Sequence, residues 1–265
     1  MNTAAQKTTL EAILPLRKLF LQEANHQIRY NARHERGWSD SYILTADGTS
    51  VGYGSIMGRE IPDRNTVFEY FVVPPFRKYA SAFFRSLLDA AQPQFIECQS
   101  NDPLLSSMLF EFGRAIFADV VLFEDHCVTQ LALPGAVVRC RRADEEVFSH
   151  TVEPVGDYVM ELNGEAIASG GFMLHYNEPF ADLYMEVRED YRRRGVASFL
   201  LQELKRECYL AGRVPAARCG MRNAASRAAL RKAGLRECGF MLTGEIDPRT
   251  FVIPNSPTCI EQERP

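Results

Sequence analysis

Residues 185 to 206 of this chain read MEVREDYRRRGVASFLLQELKR, an order of residue types suited to gripping a diphosphate. A strand-like run ends at Val187, a short polar turn follows, and Arg192-x-x-Gly195-x-Ala197 opens a helix. The first N–H groups of a helix have no acceptor within it, and the helix dipole adds about half a positive charge there, so an anion is stabilised at that end. Gly195 and Ala197 keep side chains small enough for pyrophosphate oxygens to reach the backbone, while Arg188, Arg192, Arg193 and Arg194 supply cations. The turn therefore nominates Arg192, Arg193, Arg194, Gly195, Val196 and Ala197 as anion contacts; the alternative is a solvated basic turn with an ordinary glycine.

Just upstream, Asp182, Tyr184 and Glu186 share one strand face by period two. Asp182 and Glu186 form a carboxylate pair able to bind a cation or accept a proton; equally, either could be a solvated ion partner for Arg188 or Arg192. His175 is a further base candidate, against its reading as a hydrogen-bonded surface group. Asn223 and Ser226 stand at a helix start, where an N-cap role also fits. The seven cysteines, at 98, 127, 140, 208, 219, 238 and 259, are odd in number, with no C-x-x-C pair and no nucleophile signature, so reduced thiols and no metal site are expected. Trp38, the single tryptophan, marks either a binding loop or a cap on the core, the core being favoured.

The elements that position these residues can be read from periodicity. A helical stretch spans 10 to 35. Ser41 to Met57 reads as a hairpin turned at Asp47-Gly48, a strand at 66–73 stops at Pro74-Pro75, and 77–92 is an amphipathic helix. FIECQ at 95–99 is a buried strand, Asp102-Pro103 caps a helix through Phe112, and two strands fit 118–133. After Pro134-Gly135 the order recurs: a hairpin turned at Asn163-Gly164, a strand at 181–187, the long helix from Gly195, the strand AARCG, a helix from Ala224 to Lys232, and strands near 236–243 and 249–253. Asp47-Gly48 matches Asn163-Gly164 at an offset of 116, Val72 and Arg77 match Val187 and Arg192 at 115, and Asn101 matches Asn223 at 122. Near-constant offsets in matching elements point to duplication of one α/β unit.

Composition narrows the function class. The chain has 265 residues, 46% of them hydrophobic, enough for one large or two smaller cores. Thirty Lys plus Arg against 34 Asp plus Glu leave a net charge of −4, which argues against a dedicated nucleic-acid binder. The local cluster Arg139, Arg141, Arg142 is followed by Asp144, Glu145 and Glu146 and reads as a solvated linker. Glu11, Pro15, Arg17 and Lys18 break the first apolar stretch, making a poor signal peptide, and no window approaches membrane-spanning length. A cytoplasmic location is expected.

The Arg-x-x-Gly-x-Ala turn resembles motif A of the GCN5-related N-acetyltransferases, and Asn223-Ala-Ala-Ser226-Arg-Ala-Ala-Leu230-Arg-Lys232-Ala-Gly234-Leu235 resembles their motif B. The resemblance covers residues 150 to 255 by motif and the first half by layout. It implies an α/β (α+β) fold of two tandem domains, each a mixed, mostly antiparallel sheet flanked by helices. Residues 1–134 would be a degenerate copy acting as scaffold, and 135–265 the copy that binds acetyl-CoA. It further implies that Asn223 and Ser226 meet pantetheine or phosphate, and that backbone groups around Met185 to Val187 hold a thioester carbonyl. The acetyl group would pass to the amine of a small molecule or exposed peptide, in a monomer or homodimer. A transferase for a longer acyl chain and a non-catalytic CoA-binding module are the alternatives. Two departures matter: Leu230 replaces a tyrosine that protonates the departing thiolate in many members, and Gly234-Leu235 replaces Gly-Phe. In the first half Arg77-Lys78-Tyr-Ala80-Ser-Ala82 puts alanine at the glycine position, and Asp102 brings negative charge beside a would-be anion site.

Overall fold

A computed structural model describes residues 1–23, 31–151 and 153–251. The chain opens with strand β1 (Thr3–Thr8), which pairs with β2 (Ser39–Ala46) across the intervening helices α1 (Leu10–Glu23) and α2 (Asn31–Glu35). β2 turns tightly into β3 (Thr49–Met57) because Asp47 and Gly48 both adopt positive φ, 46° and 85°, matching the right-handed twist of the flanking strands. β4 (Thr66–Val72), a two-turn 3-10 segment (Pro74–Tyr79), helix α3 (Ala80–Ala91), β5 (Phe95–Gln99), α4 (Pro103–Phe112) and β6 (Gly113–Asp125) complete the first half. α4 starts at Asp102, whose Oδ1 accepts the Leu105 N–H at 3.2 Å.

The second half repeats this order with one omission. β7 (Ala136–Cys140), β8 (Tyr158–Leu162), β9 (Glu165–Met173) and β10 (Phe180–Val187) precede α5 (Val196–Leu210), β11 (Val214–Gly220), α6 (Ala224–Lys232) and β12 (Leu235–Ile246). Asn163 and Gly164 turn β8 into β9 with φ of 53° and 84°, as the counterpart hairpin does. Between β7 and β8, the described residues form no helix, so α1 and α2 have no counterpart.

All strands lie in one 12-stranded sheet ordered β1-β2-β3-β4-β5-β12-β6-β11-β10-β9-β8-β7. The last strand of each half is inserted beside the fifth strand of the other: β12 lies against β5, β6 against β11, and β6 and β12 pair antiparallel at the centre. The two outer ladders are equivalent. Phe95 pairs Glu245 and Gln99 pairs Met241, while Ala216 pairs Glu124 and Gly220 pairs Val120; each residue of one ladder is 121 positions from its counterpart in the other.

Two apolar cores follow the duplication. Phe83, Phe84, Leu87 and Leu88 of α3 pack with Leu105, Met108 and Leu109 of α4 on Val67, Tyr70 and Val72. Val196, Leu200, Leu201 and Leu204 of α5 pack with Ala229, Leu230 and Ala233 on Ala181, Leu183 and Val187. On the opposite face of the first half, α1 covers Tyr53 and Phe71 with Ile13 and Phe20, and a buried ion pair locks it there. Arg17 Nε and Nη2 reach Glu69 at 2.9 to 3.2 Å, and Glu69 also meets Tyr53 Oη and His34 Nε2, each at 3.1 Å. With every oxygen engaged, the desolvation of this carboxylate is offset. Burial alone would raise its pKa, but Arg17 and His34 outweigh it and hold Glu69 well below the usual carboxylate range.

Several sequence expectations are corrected. The helical stretch from 10 splits, with helix only at 10–23 and 31–35 among its described residues. The two strands expected at 118–133 are the single strand β6, because the chain leaves the sheet at Asp125 to begin the second half. The strands expected near 236–243 and 249–253 are the single strand β12 followed by a 3-10 turn at Pro248–Phe251; residues 252, 253 and Cys259 lie outside the described residues. Arg139 belongs to strand β7, where it binds Glu145 and Glu161, rather than to a solvated linker. The N-cap matching Asn223 is Asp102 at offset 121, so the pairing of Asn101 with Asn223 is off by one residue.

Candidate active site

The turn into α5 is an open anion nest. Arg193 and Gly195 both take positive φ, 61° and 84°, which aims successive amides to one side. Among the described residues, no acceptor is found for the N–H groups of residues 193 to 198, and the first helical bond runs from Phe199 N–H to the Gly195 carbonyl at 3.1 Å. Arg192, Arg193 and Arg194 are exposed. Arg192 also has a structural task, its Nε donating to the Val187 carbonyl at 3.1 Å and tying the turn to the end of β10. Arg188 adds little to the nest, being neutralised by Asp190 and Glu165. Sequence reasoning missed Lys232, whose Nζ lies 3.9 Å from where a Cβ on Gly195 would stand. Its signal was available: a lysine in the last turn of the helix that packs against α5.

β10 and β11 run parallel but pair only from Phe180–Val214 to Leu183–Ala217. Beyond Leu183 they part, while β10 stays paired with β9 as far as Val187. Arg188 N–H donates toward β9, to the Ile167 carbonyl at 2.9 Å, so by alternation the N–H groups of Met185 and Val187 face the gap. A cleft lined by two strand amides thus leads to the nest. Val196 is buried beneath it and Ala197 half-buried. Asn223 caps α6, its Oδ1 accepting the Ser226 N–H at 3.0 Å. Leu230 is buried in the core, so no hydroxyl occupies that position. Gly234 has φ of 88°, and a Cβ there would lie 2.2 Å from the Cys127 carbonyl oxygen, so its glycine is required by packing.

Asp182, Tyr184 and Glu186 do share the face opposite α5, but their surroundings differ. Asp182 is 2% exposed, and its Oδ2 accepts Arg218 Nε at 3.0 Å. Burial pushes this carboxyl up to about 6, with Arg218 opposing only in part. Glu186 is committed to the β7–β8 connection, accepting Thr151 N–H at 3.0 and 3.1 Å and Thr151 Oγ1 at 2.7 Å. Neither carboxylate pairs with Arg188 or Arg192. Tyr184, the first β10 residue past the last β11 pair, is half-buried and its hydroxyl pKa is raised, chiefly by burial. His175 follows β9 in an exposed position, its pKa lowered by burial and by the cations Arg36 and Arg218. Trp38 is not a core cap. It is half-buried beneath the guanidinium groups of Arg36 and Arg59.

The first half holds the same geometry closed. Arg77 Nε donates to the Val72 carbonyl at 2.9 Å, as Arg192 does to Val187, but Arg77 is also paired with Glu23. The turn contains no positive φ, and the Ala80 N–H is already bonded to the Arg77 carbonyl. β4 and β5 part after two pairs, yet Tyr70 fills the space, its hydroxyl donating to the Ala80 carbonyl at 2.6 Å and its ring meeting Phe84 edge-on at 4.9 Å.

Among the described residues there is no cluster of His, Cys, Asp and Glu able to hold a metal, and no helix long and apolar enough to cross a membrane. No curated protein matches the chain. Among solved structures, an acetyltransferase of the GNAT family from Colwellia psychrerythraea aligns with 93% of this chain and 100% of its own, with TM-score 0.73 and 12% identity. A tandem GNAT protein from the clavulanic acid biosynthesis pathway aligns with 93% and 99%, with TM-score 0.61 and 11% identity. A GCN5-related N-acetyltransferase from Sphaerobacter thermophilus aligns with 93% and 96%, with TM-score 0.53 and 15% identity. These likenesses establish the fold over both halves. The model of the acetyltransferase (GNAT) family matches residues 128–235, the segment holding the nest and the parted strands, and this part of the chain is a GNAT-family domain.

Proposed function

We propose that this chain is an N-acetyltransferase that takes the acetyl group of acetyl-CoA and passes it directly to a primary amine. Residues 135–265 hold the thioester substrate and residues 1–134 shape the acceptor side. The observation that carries this reading is the run of unengaged amides from Arg193 to Ser198 around Gly195, a cradle for a diphosphate. Arg193, Arg194 and Lys232 add charge. Met185 and Val187, whose N–H groups face the cleft, are placed to hold an acyl oxygen and to stabilise it as negative charge develops, a contribution of about 3 kcal/mol for such a donor.

Acetyl-CoA supplies an activated acyl group on a thiolate leaving group. An alkylammonium is mostly protonated at neutral pH and must lose its proton before attack. Asp182 and His175 are the proton acceptors: Asp182 ionises about pH 6 and His175 is held neutral by burial and neighbouring arginines. The Tyr184 hydroxyl lies over Gly171 of β9, away from the parted strands, and with leucine at 230 the thiolate, a fair leaving group near neutral pH, departs without a protein acid. The cysteines described here are all free, which supports a reducing, cytoplasmic setting for the reaction.

Thiol release from acetyl-CoA against a panel of amino acids, polyamines, aminoglycosides and peptides tests the reading. Release with at least one class supports it. Binding of acetyl-CoA by calorimetry without thiol release would favour the second reading, a CoA-binding module without turnover, which the buried Leu230 recommends.

A further inference from the structure

Building on the transferase reading above, we propose that the acceptor is an amine that also bears a carboxylate or phosphate, bound in a cavity to which both halves contribute. The cavity encloses about 430 Å³, and its walls include Arg36, Trp38 and Arg59 from the first half and His175, Tyr176 and Arg218 from the second. That volume suits a small molecule.

Its charge is not balanced from within. Arg33, also on the wall, reaches Glu97 at 3.6 Å, and Arg218 reaches Asp182 at 3.0 Å. Arg36 and Arg59 have no ion pair among the described residues. Both lie over one ring, that of Trp38, at 5.0 and 5.4 Å from its centroid. Each guanidinium group leaves donors on the cavity wall with no carboxylate to meet them, so an anion in the cavity would gain charge-assisted hydrogen bonds there. Glu35, exposed at the end of α2, is close enough to act on His175 but forms no ion pair with Arg36 or Arg59 among the described residues. Arg218 stacks on Tyr176 at 5.3 Å and donates to its hydroxyl, so the far wall is fixed before a ligand arrives.

The position also suits an acceptor. Arg218 directly follows Ala217, the last β11 residue paired with β10, so the cavity meets the cleft where the strands part. On the carboxyl group that Arg218 holds, Asp182 Oδ1 is buried and without a hydrogen-bond partner. A ligand with an anionic group on Arg36 and Arg59 meets the unbalanced charge of the wall, which neither a simple amine nor a polyamine does.

Trp38 is the only tryptophan in the chain, so its emission reports on the cavity alone. Titration with phosphoethanolamine and with β-alanine is expected to change that emission, while ethanolamine and β-alaninamide leave it at least tenfold less responsive. Whichever anion binds tighter identifies phosphate or carboxylate. In the Arg36→Ala, Arg59→Ala double variant the affinity for both anions falls at least tenfold. In the thiol-release assay the acceptor KM rises by a similar factor with kcat within about twofold, and the calorimetric affinity for acetyl-CoA is unchanged. Equal response to the neutral-tailed amines, or undiminished anion binding in the double variant, overturns the proposal. Loss of acetyl-CoA binding with the Trp38 response intact would overturn only the transferase reading and leave the anion cavity supported.

Discussion

The turn at 192–197 and the turn at 77–82 descend from one layout and have parted in a few residues. In the second half Gly195 permits a left-handed turn, the amides beyond it are unengaged, and strands β10 and β11 leave a cleft lined by backbone. In the first half alanine stands at that position, the amide of Ala80 is bonded within the turn, and Tyr70 occupies the gap where the second half has Met185. The lesson concerns vacancy. What separates the open turn from the closed one is less the presence of a special side chain than the lack of one, together with backbone groups left unsatisfied.

The sharpest way to break the comparison is to attack what the first half has gained. Glu69→Ala leaves Arg17 buried without its partner and is expected to cost about 3–5 kcal/mol, a fall of roughly 10 °C in Tm by calorimetry, with acetyl-CoA affinity unchanged. The same carboxyl is held well below its usual range. Its contribution is therefore present above the unfolded-state pKa of about 4 and is lost as pH falls through the depressed folded value, so the variant should flatten the acid limb of the stability curve. An unchanged Tm would show that the ion pair does not anchor α1.

Next in size is Gly195→Trp, expected to weaken acetyl-CoA binding at least about 100-fold because φ of 84° disfavours any side chain and the indole covers the nest. Ala80→Gly should leave calorimetric stoichiometry at one per chain, since Tyr70 still fills the first cleft; a second equivalent bound would dissolve the distinction between the halves. Asp182→Asn is expected to lower kcat/KM about 10–100-fold and to remove a rate limb near pH 6. The sign for stability is opposite to that of Glu69. A carboxyl raised in the folded state favours folding fully only below its unfolded pKa of about 4, and that contribution is lost as pH rises through about 6. A pH profile unmoved by the substitution would leave His175 as the base. Lys232→Ala should weaken acetyl-CoA binding only a few-fold, and most at low salt, as befits one exposed cation near a phosphate site.

What could be read in one dimension was read well. Asp47-Gly48, Asn163-Gly164, FIECQ and the helix from Ala224 to Lys232 are local decisions, made by turn chemistry and capping within a few residues, and they fall where expected. The nest was legible for the same reason. β1 and β7 were missed because TAAQKT and AVVRC are short edge segments whose strand character comes from a neighbour rather than from their own periodicity. β6 was divided in two and the end of β12 was cut short, since a strand's extent depends on the ladder it joins, here one belonging to the opposite half. Arg218 carried no signal at all. It sits in an unremarkable pentapeptide, AARCG, and acquires meaning only when Trp38 and Tyr176, distant in sequence, are brought beside it.

The crossing of β6 and β12 makes the first half indispensable to the sheet of the second. A truncation at the linker would strip the GNAT-family domain of the strand that seals β11 and leave β12 with nothing on either side, so three raw edges would be exposed to solvent and to other chains. Residues 1–134 therefore cannot be discarded whatever their own chemistry, and damage to their central strand will be felt in the sheet of the other half.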